Sequence, residues 1–105
     1  MSKLIAFKEL PEQQQGEILD HMSLAAAKMT KWELILVEPD FVYKQWGLPG
    51  TDINQVRKLK QAIQRQGFTT PIVVDGIKGW MEGNHRAVAA IDLGLPEIPA
   101  YVRER

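Results

Sequence analysis

The sequence contains no cysteine. That absence excludes disulfides, cysteine-based zinc sites, thiol redox chemistry and a thiol nucleophile. Net charge is also lacking: 13 Lys and Arg stand against 13 Asp and Glu, which argues against a surface basic all round and built to wrap nucleic acid. No apolar run approaches the ~20 residues of a membrane span, and the N-terminus has no signal-peptide hydrophobic region. A cytoplasmic protein without a membrane partner is the expectation. Aromatic residues are few, at 8%, so Trp32, Trp46 and Trp80 stand out, with core packing as their default use. There is no internal repeat, and the only biased stretch is Gln13-Gln14-Gln15.

What is present fits one domain. A chain of 105 residues buries ~65% of its unfolded surface, enough for one modest core. Pro11 and Glu12 suit a first helical turn. Ile18, Met22, Ala25, Ala26 and Met29 recur at helical spacing, which predicts a helix over 11–29. Its apolar stripe either covers one face of a sheet or docks a second copy or another protein. Trp32 to Val37 reads as a strand, followed by a loop over 39–50 with one helical turn through Phe41-Val42-Tyr43. Thr51 or Asp52 caps a helix from Ile53 to Gln66, which Gly67 stops. Pro71–Val74 is a buried strand, Asp75-Gly76 a turn, and Lys78–Glu82 a paired strand. A helix from Asn84 to Leu93 and a strand from Ile98 to Val102 complete the pattern. The expected fold is a small α/β domain with a mixed sheet and flanking helices. Residues 1–31 form an N-terminal helical extension and 32–105 the domain proper.

The stretch that carries chemistry is Glu82-Gly83-Asn84-His85-Arg86, where strand gives way to helix. Gly83 permits a sharp turn and close approach of a ligand. Asn84 can cap the helix, leaving first-turn N–H groups and the positive end of the dipole facing outward, a ready phosphate site. Arg86 adds a planar fork that matches phosphate oxygens two at a time, or else pairs with Glu82 one turn away. Histidine changes charge near neutrality, so His85 can donate to phosphate or carry a proton, or simply cap and pack. Glu82 can hold Mg²⁺ or act as a base, or be a solvated strand end. His21 reads as an exposed helical histidine.

Charge is unevenly spread. Residues 1–49 carry five basic and seven acidic side chains, and 50–105 carry eight and six. Arg57, Lys58, Lys60 and Arg65 lie on the second helix, with no acid between Ile53 and Val74. They form either a solvated face or a rim that steers nucleotide or DNA toward Arg86. Trp46 sits in the Gly/Pro-rich loop beside Tyr43 and Gln45, where an aromatic ring can stack on a base or meet a partner.

From Gln55 to Val102 the chain resembles the ParB/sulfiredoxin superfamily. The resemblance lies in Val56-Arg57-Lys58-Leu59, Ile63, Gly67, Pro71-Ile72-Val73-Val74, Glu82-Gly83-Asn84-His85-Arg86, Ala89-Ala90, Leu93-Gly94 and Ile98-Pro99. That superfamily includes CTP-binding partition proteins, ParB-like nucleases, sulfiredoxin and a free-serine kinase. The resemblance implies phosphate contacts at Gly83, Asn84, His85 and Arg86, with Arg57 near the pocket. With the residue chemistry above, the expectation is ATP or CTP as ligand, Mg²⁺ held by Glu82, and Glu82 or His85 as the catalytic group that handles the proton. Sulfiredoxin has its cysteine where this chain has Asn84, so peroxiredoxin repair is excluded. Partition proteins carry Glu-Arg-Arg after the glycine, and 105 residues leave no room for their further domains. The nearest local pattern is the acidic-Gly-His-His-Arg turn of kinase-like members, here with Glu82 and Asn84 substituted. The functional expectation is nucleotide binding with phosphate chemistry: NTP hydrolysis, phosphoryl transfer or phosphodiester cleavage. The alternative is a non-catalytic module of phage or plasmid type. It would meet DNA or protein through Lys58, Lys60, Arg65 and Trp46, or form a homodimer through the N-terminal helix.

Overall fold

The computed structural model describes residues 4–40, 42 and 52–103. In chain order it contains β1 (Leu4–Ala6), a 3-10 turn (Phe7–Glu9), α1 (Glu12–Leu19), α2 (Leu24–Lys28) and β2 (Lys31–Val37). After these come α3 (Ile53–Gln66), β3 (Ile72–Asp75), β4 (Trp80–Glu82), α4 (Asn84–Asp92) and β5 (Ile98–Arg103). The five strands make one mixed sheet in the order β1-β2-β5-β3-β4. Only β3 and β5 run parallel; the other neighbours are antiparallel. The α/β class and mixed sheet are as expected. No helix among the described residues is long and apolar enough to cross a membrane.

Alternation along the strands sends side chains to two cores. On one face Ile72, Val74, Met81, Ile98, Ala100 and Val102 meet Ala87 and Ala90 of α4, together with Val42. On the other, Val73, Tyr101 and Trp32 meet Phe7, Leu10, Ile18, Met22 and Ala27. The N-terminal segment therefore covers the sheet, with Phe7, Leu10, Ile18, Met22 and Ala27 packed inward. β3 is buried along its whole length because both of its faces are roofed.

Three local expectations change. The helix over 11–29 is two helices, because Ser23 is extended (ψ 158°) and its Oγ accepts from Ala26 N at 3.2 Å. Serine is a better N-cap than a helix-interior residue. The break takes His21 out of any helix and leaves Met29 86% exposed instead of on the stripe. Residues 4–6, which show no strand signal in the sequence, form β1, paired antiparallel with β2 with Ile5 opposite Trp32. The partner of β3 starts at Trp80 and not at Lys78. Asp75 Oδ1 accepts from Ile77 N and Lys78 N at 2.8 and 2.9 Å and holds the turn open to Gly79.

The second helix is as read. Asp52 caps α3, its Oδ1 accepting from Asn54 N at 2.8 Å, and Gly67 ends it at φ +80°. Asp52→Ala should destabilise the chain by about 1 kcal/mol in urea denaturation, the usual contribution of such a cap.

Candidate functional site

The start of α4 differs from its sequence reading in one respect. Gly83, left-handed at φ 101°, ψ 28°, is the N-cap; Asn84 is the first helical residue and no side chain caps the helix. Among the described residues no acceptor meets the amides of Asn84, His85 or Arg86, and the first bond of the helix is Ala87 N to Gly83 O at 2.9 Å. These amides open on a cleft of about 510 Å³ lined by residues 82–86, by Gln55 and Lys58 of α3, and by Gln13 and Glu17 of α1. That volume suits a small-molecule ligand.

Arg86, His85 and Glu82 each already have a protein partner. Arg86 does not reach Glu82. Its Nη1 and Nη2 donate to Glu17 Oε2 and Oε1, both at 3.1 Å, and Nη2 donates also to Pro71 O at 3.0 Å. The two side chains are only 12% and 16% exposed. His85 Nε2 accepts from Asp52 N at 3.1 Å, tying the start of α4 to that of α3. That bond requires an unprotonated Nε2 and so the proton on Nδ1. Glu82 Oε1 lies 3.2 Å from His21 Nε2, and the His21 ring stacks on Trp80 at 4.1 Å and 10°.

The basic residues of α3 separate in space. Lys58 lines the cleft and Arg57 does not; Arg57 is exposed. Lys60 stands 3.8 Å from Asp92, and Arg65 lies with Gln61 and Gln64 at a different surface dip. Trp46 lies outside the described residues. Sequence reasoning missed Glu17, which is 69 positions from Arg86. It missed Gln14 as well, buried with its Nε2 donating to Pro71 O at 2.8 Å.

The model of the ParB N-terminal domain matches residues 42–105. The chain belongs to this family. No curated protein and no solved structure matches it. Within the ParB N-terminal domain family match lie α3, β3, β4, α4 and β5, hence Lys58 and the whole Gly83–Arg86 turn. Outside it lie β1, α1, α2 and β2, hence both Glu17 and His21, the partners of Arg86 and Glu82. The family core supplies Lys58, Glu82 and the Gly83–Arg86 turn, and the preceding segment supplies Glu17, which pairs with Arg86, and His21, which pairs with Glu82.

Proposed function

We propose that this ParB-family chain binds the phosphates of a nucleotide, of the ATP or CTP class, in the cleft at the start of α4. The observation that carries the reading is the row of three first-turn amides, without acceptors among the described residues, opening beside Lys58. Amides and dipole favour an anion there, and the lysine adds a full positive charge. Glu82, which presents one oxygen to His21, would hold Mg²⁺, and the ion would supply positive charge to offset that of the phosphates. Phosphate chemistry in this cleft would use Glu82 or His85 to handle the proton.

A second reading, a non-catalytic module acting on DNA or on another protein, is favoured by one observation. Glu82 and His85, the two groups that proton transfer needs, are both engaged in contacts that hold the fold together.

Titration calorimetry with ATP and CTP, with and without Mg²⁺, tests the binding. Lys58→Ala should weaken it about tenfold or more, the value of one charge-assisted contact to phosphate. Unchanged affinity in that variant would remove the cleft as the site. Assays for released phosphate and nicked plasmid separate the two readings. Turnover supports the chemistry; salt-sensitive DNA retardation without turnover supports the module.

A further inference from the structure

Two parallel N–H···O bonds are the geometry in which a guanidinium takes either a carboxylate or a phosphate. Arg86 makes that pair with Glu17, at 3.1 Å on each side, and both residues line the same cleft. A Cβ placed on Gly83 would stand 2.7 Å from Arg86 Nη2, so the guanidinium lies against the turn that opens α4. The carboxylate of Glu17 thus occupies the guanidinium beside the unpaired amides, where an incoming anion would find its strongest side-chain donor.

We propose that Glu17 is an intramolecular competitor for the cleft: its carboxylate stands in for the ligand's phosphate on Arg86 and must turn away before that phosphate can take the guanidinium. This rests on the phosphate-binding reading of the cleft. α1 itself stays in place, since Ile18 is fully buried and Gln14 Nε2 donates to Pro71 O at 2.8 Å. Only the side chain of Glu17 exchanges. Gln13, one turn earlier on the same helix, has its Nε2 at 3.5 Å from Glu17 Oε2 and lines the cleft as well. With Glu17 on Arg86 and Glu82 facing His21, Lys58 is the cation of the cleft without an acid partner among the described residues. Binding is weakened by the acid, and the acid comes from the segment outside the family match.

The test is calorimetric titration of the full chain with inorganic tripolyphosphate and with ATP and CTP. Glu17→Gln keeps the shape and one acceptor for Arg86 but removes the charge. It should bind at least about tenfold more tightly than the parent chain, equivalent to removing one adjacent like charge. Glu17→Ala should show the same gain, and thermal melts of both variants establish that they are folded. In an Arg86→Gln background the gain should vanish, because the acid acts through Arg86. Equal or weaker binding by folded Glu17→Gln overturns the competition and leaves Glu17 as a brace for Arg86, and a gain that persists without Arg86 overturns it too. Failure of the parent and both Glu17 variants to bind any of the three anions overturns the cleft reading and this proposal with it. Binding by the parent with no gain in the variants overturns this proposal alone.

Discussion

Arg86→Ala should lower the stability of the ligand-free chain by about 3 kcal/mol. Two charge-assisted bonds to Glu17 disappear, and Glu17 is left with its side chain 16% exposed and its cation gone. Removing one partner of a buried pair costs about 3–5 kcal/mol, because the remaining charge is stranded. The lower end applies here, since neither side chain is wholly shut off from water. Pro71 O keeps its bond from Gln14, which limits the damage at that carbonyl. For a domain whose total stability is of the order of 5–15 kcal/mol, this is a large fraction. Urea denaturation of parent and variant measures it, and a loss below about 1 kcal/mol would mean that the pair behaves as a surface ion pair. One practical result follows for binding studies. Loss of ligand affinity in Arg86→Ala mixes contact with fold, whereas Lys58 is exposed on α3 and reports on contact alone.

Gly83→Ala should be comparably severe, at about 3–4 kcal/mol. The residue sits at φ 101°, ψ 28°, a conformation that costs an L-residue about 1–2 kcal/mol. Its new Cβ would also lie 2.7 Å from Ile72 Cγ2 and from Arg86 Nη2, and 2.9 Å from Arg86 Cζ. Ile72 is fully buried between the two helical layers and has nowhere to move, so overpacking adds a further ~1–3 kcal/mol. Arg86 is the part that can yield, by leaving Glu17. Denaturation should therefore show a destabilisation near that of Arg86→Ala, and the double variant should lose less than the sum of the two. Additivity would show that the alanine at 83 leaves Arg86 where it is.

Local codes were legible and distant partnerships were not. Asp52 and Gly67 bracket α3 because capping and the left-handed stop are written in adjacent residues. The turn at Gly83 could be placed because one glycine separates a strand from a helix. Asn84 has the residue type of a cap, but Gly83 in a left-handed conformation holds that position without a side-chain bond. The break at Ser23 could be read only by weighing a cap against an apolar stripe that runs across it. β1 is three residues long, too short for alternation to register, and it exists because β2 offers it an edge. The cleft divides in the same way. Its first-turn amides and Arg86 lie in a contiguous turn, but Glu17, His21 and the backbone of Asp52 reach that turn from 69, 61 and 33 positions away. No spacing rule connects them.

The place of β5 in the sheet has a consequence for how the chain folds as it is made. β1 pairs with β2 and β3 with β4, all four preceding β5 in the chain, but the two pairs touch no common strand except β5. Residues 98–103 are thus the strand that joins the two pairs into one sheet. On a ribosome the five-stranded sheet cannot be completed until that segment leaves the exit tunnel. A nascent chain halted before residue 98 should be digested rapidly by protease, and one extended past 103 and clear of the tunnel should become resistant in a single step.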